Sequence, residues 1–440
     1  MKSALIAASA LLLAAGATSS SAQTAGAFPT ATEAAIHAVL PQMIAWRRDF
    51  HQHPELSYQE VRTSQIVARH LRALHLEVRT GVAQTGVVGV LRGAHPGPVI
   101  AFRADMDALP VTEEVDLPFK STVRSTYNGQ PVGVMHACGH DTHTAVLMAA
   151  AQVLAAQRAD LHGTIIFVFQ PSEEGAPPGE LGGAQRMLAE HLYGDLHPEV
   201  IFGLHAWPAD TGTVTLAPGP FMAGADQINI TVHGRGTHGA QPHRGVDPIV
   251  ASSEIIQALQ TIPSRQMDAV RSPVIITIGS IHGGVRYNII PDTVEMQGTI
   301  RYINPETRED LYARIRRTIN DVADSAGATA DITIQHNAIP VVNPPDLTAR
   351  TRAVLAAALG GANVRADQAN MVAEDFAYFQ QDTPGVFFFY GIDPPGVTPA
   401  QAAPNHSSRF FVNEPAMETA LRAEIALALD RVGPGPAGRS

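Results

Sequence analysis

Cysteine is almost absent from this chain, which holds one thiol, Cys138, among 440 residues. An internal disulfide is therefore impossible, and a lone cysteine is most often a buried structural residue. No stretch rich in lysine and arginine is present, and the formal charge is −11, so a nucleic-acid partner is not expected. The chain also lacks a G-x-S-x-G element, which disfavours a serine hydrolase.

Long apolar runs are missing except at the start of the chain. There, an apolar run from Ala4 to Ala17 follows Lys2 and leads into small residues up to Ala22. This pattern is typical of a secretory signal, and the run is too short for a comfortable membrane span. We therefore expect residues 1–22 to be a signal peptide and the mature protein to be periplasmic or secreted, without contact to a membrane. A membrane anchor is the alternative.

Several continuous apolar segments predict buried strands. They cover residues 97–105, 162–170, 198–206 and 385–393. Helical patterns over 142–157 and 181–191 separate the first three, so we predict an α/β fold with a mostly parallel sheet covered by helices. Sites in such sheets form at the carboxyl ends of the strands. The candidate ligands at those ends are Asp105, Asp107, Glu173, Glu174 and His205.

A chain of this length suggests two domains. Between 220 and 336 the pattern changes to β-α-β-β-α-β, which is the ferredoxin-like arrangement. We predict an inserted lid or dimerisation domain over 220–336. The metal-binding catalytic domain then consists of 30–219 and 337–435.

The only thiol lies in the segment MHACGHDTHTA, which precedes a helical pattern. Cys138 and His140 are two positions apart, and a loop entering a helix can turn both side chains toward one point. Thiolate and imidazole are ligands suited to zinc and other divalent transition metals. Two ligands do not make a site, so others must come from elsewhere, and His136 and His143 are further candidates.

The segment QPSEEG places Glu173 and Glu174 side by side after a strand. Adjacent side chains point in opposite directions on extended backbone, so one carboxylate can bind a metal while the other faces a water molecule. Metal-assisted hydrolysis needs that pair, because the metal lowers the pKa of the water and a base takes its proton. A surface charge pair is the alternative.

Nine segments together resemble one enzyme family, the dinuclear metal amidohydrolases. This family includes bacterial hippurate hydrolases, N-acyl-amino-acid amidohydrolases and plant hydrolases of indole-acetyl-amino-acid conjugates, and it is related to aminoacylase and to two-domain carboxypeptidases. The segments lie between residues 46 and 414 and are WRRDFHQHPELSYQE, FRADMDALP, MHACGHDTHTA, QPSEEG, FGLHAWP, HGRGTHGAQPHRGVDPI, NIIPD, EDFAYF and NHSSRFFVNE.

The resemblance implies a role for each matching residue. Two divalent transition-metal ions, zinc or manganese, would be bound by Cys138, His140, Glu174, His205 and His406, with the thiolate bridging them. Glu173 would act as general base and acid. Asp107 would orient a ligand, as carboxylates near metal-bound histidines usually do. Asp105 stands where more distant relatives carry a ligand histidine.

The resemblance also implies a substrate site on the inserted domain. His238 would stabilise the oxyanion, often across a dimer, and Asn288 would hold the free carboxylate of the substrate. We therefore expect a homodimer formed through the inserted domain.

The expected activity is hydrolysis of the amide bond of N-acyl amino acids. A carboxypeptidase or dipeptidase acting on short peptides is the alternative among enzymes. A periplasmic metal-binding protein without catalysis is the alternative of another class. Glu173 distinguishes an enzyme from this last alternative, because a storage site gains nothing from a carboxylate that is not a ligand.

Overall fold

The computed structural model of the protein describes residues 28–177, 179–398 and 400–434, so the predicted signal peptide lies outside the described residues. The helices, in chain order, are α1 (Thr30–Gln52), α2 (Val61–Ala73), α3 (His140–Ala155), α4 (Gly183–Ala189), α5 (Pro248–Leu259), α6 (Arg308–Ser325), α7 (Pro345–Leu359), α8 (Phe376–Asp382) and α9 (Ala416–Val432). Within the described part of the chain, no helix combines the length and the apolar character that a membrane crossing requires.

The strands, in chain order, are β1 (Glu77–Val82), β2 (Gly86–Arg92), β3 (His95–Asp105), β4 (Arg124–Tyr127), β5 (Gln130–Gly133), β6 (His162–Gln170), β7 (Val200–Asp210), β8 (Val214–Leu216), β9 (Gly219–Met222), β10 (Gly224–His233), β11 (Thr237–His238), β12 (Val274–Gly283), β13 (Ile289–Ile290), β14 (Thr293–Tyr302), β15 (Thr329–Ala338), β16 (Val341–Asn343), β17 (Val364–Ala366) and β18 (Gly385–Asp393).

The large domain is built on an eight-stranded sheet in the order β1-β2-β6-β3-β7-β18-β8-β17. Its centre is parallel, because β3 pairs in parallel with both β6 and β7, and β7 pairs in parallel with β18. Antiparallel pairs lie toward the edges, where β1 joins β2 and β2 joins β6. The predicted α/β class with a mostly parallel sheet is confirmed.

Helices cover both faces of this sheet. Successive side chains of β3 divide between two cores, with Phe102 in the core beneath α1, α3 and α9, and Ala101 in the core beneath α4 and α8. Phe388 and Phe387 of β18 divide in the same way. This division explains why the central strands are apolar at most positions rather than at alternate ones.

The small domain has a four-stranded antiparallel sheet in the order β12-β14-β10-β15. Helices α5 and α6 bury Ile255 and Ile315 in one core with Ile228 of β10. Apart from the two-residue strands β11 and β13, which pair with each other, the order of elements is the predicted β-α-β-β-α-β. Strand β15 continues to Ala338, past residue 336, and the exact domain boundaries stay a prediction.

Candidate active site

The functional side chains converge because the central strands end at one edge of the sheet. Asp105 is the last residue of β3, and Glu173 and Glu174 follow the end of β6 at Gln170. His205 lies within β7, which continues to Asp210 rather than ending at residue 206 as predicted. The longer strand does not move His205 away from the site. Of the other ligand candidates, Cys138 lies in the loop before α3, His140 is the first residue of α3, and His406 lies in the loop before α9.

Cys138 lies at the centre of the cluster. Its Sγ atom is 3.3 Å from Nε2 of His205 and 3.3 Å from Nε2 of His406. His205 donates from Nδ1 to the carbonyl of Ala206 at 2.8 Å, which turns Nε2 toward the sulfur. The amide of Asn405 donates to the carbonyls of Cys138 and Ala206, both at 3.2 Å, and so connects its own loop with the loop of Cys138 and with β7.

His140, the first residue of α3, is held by its other nitrogen. Nδ1 donates to the backbone carbonyl of Asp107 at 2.8 Å. Nε2 is buried without a hydrogen-bond partner, and it lies 3.8 Å from carboxylate oxygens of Asp105 and Glu174 and 3.9 Å from Glu173. Burial opposes a charge on this ring, but the nearby carboxylates outweigh it and raise the pKa of His140 to about 10.

The Asp107 carboxylate accepts hydrogen bonds mainly from backbone N–H groups. It accepts the N–H groups of Glu173 and Glu174, both at 3.0 Å, and the hydroxyl of Ser57 at 2.8 Å. The Oδ1 atom of Asp107 is 3.4 Å from Nδ1 of His140. The backbone carbonyl of Asp107 is closer to that nitrogen, at 2.8 Å. Asp107 therefore fixes both the His140 ring and the turn that carries the two glutamates.

Glu173 faces a buried network that the sequence did not reveal. Arg103, fully buried on β3, donates to Asp105 at 2.6 Å, to Glu374 at 2.8 Å and to Asp375 at 3.0 Å. The backbone N–H of Asp375 donates to Glu173 at 3.4 Å. Burial, followed by repulsion from Glu374, raises the pKa of Glu173 well above its usual range.

Unusual backbone conformations surround the site. Ser172 and His406 have positive φ angles of 51° and 68°, which non-glycine residues adopt rarely. Gly139 has φ of 97°, and a Cβ atom there would lie 2.8 Å from Cβ of Ala206. A glycine at this position therefore allows the loop that carries Cys138 and His140 to approach β7.

Glu60 stabilises the turn that carries Glu173 and Glu174. It is buried and accepts the N–H of Ser172 at 2.9 Å and the hydroxyl of Thr85 at 2.6 Å. Burial, followed by the charge of Asp107, raises the pKa of Glu60 to about 8. The segment SYQE matched the family pattern, but nothing in the spacing indicated that its glutamate would reach Ser172.

The two flanking histidines differ in their surroundings. Both nitrogens of His143 are used, because Nδ1 donates to Asp105 at 2.6 Å and Nε2 accepts the N–H of Ala206 at 2.8 Å. His143 therefore has no nitrogen left for a metal. His136 is buried without a hydrogen-bond partner, and burial lowers its pKa to about 3.

The donor set fits metal ions. Two groups of closely spaced ligand atoms share Cys138, the first with His140 and His205, the second with Glu174 and His406. Burial, followed by the charges of Glu174 and Glu173, raises the pKa of the Cys138 thiol well above its ordinary range. A thiol among carboxylates, beside the unpartnered Nε2 of His140, is the environment that divalent cations would compensate.

His238 and Asn288 lie together in a second place. They line one cavity of the small domain with Gly236, Arg286 and Asp292, where the N–H of Gly239 donates to the carbonyl of Asn288 at 2.9 Å. Within the described ranges, no hydrogen bond or ion pair connects these two side chains with the Cys138 cluster. The structure thus brings seven of the nine predicted residues into one cluster, namely Asp107, Cys138, His140, Glu173, Glu174, His205 and His406.

Several known proteins are similar to this chain in sequence and in fold. The model of Peptidase family M20/M25/M40 matches residues 101–430. Thermostable carboxypeptidase 1 of Saccharolobus solfataricus is 40% identical over 392 residues, which cover 88% of this chain and 94% of the relative. N-acetylcysteine deacetylase of Bacillus subtilis is 38% identical over 352 residues, covering 80% and 88%. The crystal structure of the YXEP protein of Bacillus subtilis, described as a dinuclear metal binding peptidase, has a TM-score of 0.74 and 33% identity, covering 90% of this chain and 98% of that one.

The prediction of an exported enzyme is wrong. The carboxypeptidase and the deacetylase that match most of the chain are cytosolic proteins. The predicted signal peptide over 1–22 lies outside the described residues. An apolar run after a single lysine is therefore not sufficient to predict export.

Proposed function

The chain belongs to the peptidase family M20/M25/M40, and on that premise we propose that it hydrolyses the amide bond of N-acyl amino acids. Metal-dependent hydrolysis of amide bonds follows from the family and its relatives, so a metal-binding protein without catalysis is set aside. The narrower substrate class is supported by the deacetylase relative, whose name states that it removes an acetyl group from an N-acyl amino acid.

We assign five ligands to two divalent transition-metal ions, zinc or manganese. His140 and His205 would hold one ion, Glu174 and His406 the other, and the thiolate of Cys138 would bridge both. The two atom groups that share Cys138 support this assignment. When bound, such ions polarise a carbonyl group and lower the pKa of a water molecule toward neutrality.

The proposal rests above all on one observation, which is that the side chains of Glu173 and Glu174 contact different partners. Asp107 holds both backbone amides, while Glu174 Oε1 lies 3.2 Å from His406 and Glu173 Oε1 receives the N–H of Asp375. Glu174 is thereby directed to the ligand cluster. Glu173 would take the proton from water and deliver it to the leaving nitrogen.

His238 and Asn288 would contact the other end of the substrate. Their cavity also contains Arg286 and Asp292, and Asp292 accepts the backbone N–H of Gly236, so Arg286 and the Asn288 amide are the donors offered to a free carboxylate. Closure of the small domain over the cluster would bring the two parts together. His238 would then stabilise the negative charge that develops on the carbonyl oxygen, from its own chain or from a partner chain.

A homodimer through the small domain is part of the proposal. Strand β12 is an edge of the four-stranded sheet, and its Ile275 and Ile281 are 41% and 48% exposed. Val285 and Tyr287, just beyond the strand, are almost fully exposed. An exposed apolar edge strand is a surface that a second copy of the chain can cover.

A carboxypeptidase acting on short peptides is the second candidate, because a relative with that name is 40% identical. The experiment that separates the candidates is a hydrolysis screen on protein reloaded with zinc or with manganese. The substrates are N-acetyl and N-benzoyl amino acids and unblocked dipeptides, and release of the free amino acid is measured. Hydrolysis of the acylated amino acids with little activity on dipeptides supports the proposal, and the reverse order overturns it in favour of the peptidase.

A further inference from the structure

A cavity of about 280 Å³ opens beside the ligand cluster on the large domain. Glu174 lines it, and its apolar walls are Leu56, Ala108, Leu109, Pro110, Tyr127 and Pro177. Its volume is close to the lower end of the range of small-molecule pockets, roughly 300 Å³. A group held here is therefore next to a carboxylate that the proposed function assigns to the metal site.

The walls of the cavity are continuous with the catalytic segments. Ala108 follows Asp107 directly and pairs with Leu56 in a parallel bridge, and Ser57 donates its hydroxyl to Asp107. The same contacts that fix Asp107 thus also fix one side of the cavity. An amide carbonyl attached to a group in the cavity would consequently meet the ligand cluster at a defined position.

Charge distinguishes this cavity from the one on the small domain. Of the described residues that line it, only Glu174 is charged, so no side chain there offers a cation to the carboxylate of an amino acid. The cavity on the small domain contains Arg286 and His238 beside Asn288, and its one carboxylate, Asp292, accepts the N–H of Gly236 at 2.7 Å. An N-acyl amino acid therefore has one complementary orientation, with its carboxylate at the small domain and its acyl group in the cavity beside Glu174.

Tyr127 forms the outer part of the cavity. It ends β4, and it pairs with Gln130 across a two-residue turn in which Asn128 and Gly129 have positive φ angles of 49° and 74°. Two such residues give the tight turn that suits a β-hairpin. The hairpin presents the Tyr127 ring at the rim, where it lines the cavity and remains 44% exposed. An occupant of the cavity would cover that exposed ring surface.

We infer that this cavity binds the acyl group of the substrate, and that Tyr127 selects bulky, uncharged acyl groups, aromatic ones above all, over acetyl. The inference rests on the proposed function. An aromatic acyl group would fill the apolar walls and contact the Tyr127 ring, whereas an acetyl group would leave most of that surface uncovered. An anionic acyl group would lose its hydration among these walls, where no cationic side chain can pair with it.

The test compares kcat/KM for N-benzoylglycine, N-acetylglycine and N-succinylglycine, which share one leaving group. Wild type should favour benzoyl over acetyl, and succinyl should be the poorest substrate. Tyr127→Ala should lower the benzoyl-to-acetyl ratio about tenfold, the size expected for lost apolar contact in a pocket. Tyr127→Phe, which removes only the hydroxyl group, should keep the ratio. Gln130→Ala, at the paired position outside the cavity, should keep it as well.

The outcomes separate the inference from the proposed function. If wild type hydrolyses none of the three substrates, the proposed function fails and the inference with it. If wild type hydrolyses acetyl as well as or better than benzoyl, or if Tyr127→Ala lowers both rates equally, the inference fails and the proposed function stands. Metal content and thermal unfolding of each variant show whether the fold is retained. If Tyr127→Ala does not fold, the benzoyl-to-acetyl ratio of kcat/KM in wild type decides whether the inference holds.

Discussion

The sulfur of Cys138 lies 3.3 Å from Nε2 of His406, a residue 268 positions later in the chain. The contact depends on a loop that folds back, because the N–H of His406 donates to the carbonyl of Ala137 at 2.7 Å. One thiol thereby meets both histidines that complete the two ligand groups. In the proposed site, this sulfur atom is therefore common to both metal positions.

Replacement of Cys138 by serine should weaken the binding of both ions together. A serine hydroxyl stays protonated at neutral pH and is a far poorer ligand than a thiolate. Elemental analysis of reloaded protein should give two ions per chain for wild type and fewer than one for Cys138→Ser. His37→Ala, which changes an exposed histidine of α1, is the control. Two ions at wild-type affinity in Cys138→Ser would contradict the shared thiolate.

Two neighbouring histidines should respond differently to removal. His205 keeps Nε2 toward Cys138, so His205→Ala should lower the metal content. His143 has both nitrogens bonded within the protein, so His143→Ala should keep two ions while losing stability. The loss should be about 1–3 kcal/mol for each buried group left without a partner. Metal analysis and urea unfolding of both variants check this, and loss of metal in His143→Ala would show that it is a ligand.

Mixed dimers should report on the role of His238. If His238 acts in the site of a partner chain, His238→Ala and Glu173→Gln chains should each be inactive, and a mixture should regain activity. Up to one intact site can form in each mixed dimer. Subunit exchange is followed separately, with chains that carry different tags. Exchange without any recovery would place His238 in the site of its own chain or outside catalysis.

Glu424 on α9 should make stability depend on pH. It is buried, one of its oxygens has no hydrogen-bond partner, and burial raises its pKa well above the usual range. Below the unfolded-state pKa, about 4.3, the group is neutral in both states and costs nothing. As pH rises toward the folded-state pKa, the unfolded state alone ionises, and the free energy of unfolding falls by about 1.4 kcal/mol per pH unit.

Glu424→Gln should therefore stabilise the protein more at pH 8 than at pH 5. Thermal unfolding at both values, with the metal concentration held constant, measures the difference between variant and wild type. Glu418→Gln changes a partly exposed carboxylate of the same helix and is the matched control. An equal or smaller gain for Glu424→Gln at pH 8 would contradict the raised pKa.

Most of the cluster could be predicted from the sequence because parallel strands end at a common edge. Apolar runs located β3 and β6, and the acids after them had to lie close together. His406 could be predicted only from the resemblance of the segment NHSS, since no spacing connects it with Cys138. The ferredoxin-like domain followed from the order of its elements, which local patterns reveal.

The buried support of the site could not be predicted in the same way. Arg103 is one polar residue in an apolar strand, and its partner Glu374 is 271 positions away. Glu60 reaches Ser172 across 112 positions. Such contacts depend on how distant loops pack, which neither hydrophobic period nor motif spacing encodes. The cavity lined by Tyr127 likewise forms only once the hairpin and Leu56 come together in the fold.

The most direct test titrates Glu173→Gln and Glu174→Gln with metal while hydrolysis of one N-acyl amino acid is followed. Glu173→Gln should retain both ions and lose about a hundred- to ten-thousand-fold in rate, because it cannot accept a proton. Glu174→Gln should bind metal more weakly and recover partly at high metal concentration, since mass action refills a weakened site. Rescue of Glu173→Gln alone would reverse the two roles. Full activity in both variants would contradict the metal-assisted mechanism proposed for this turn.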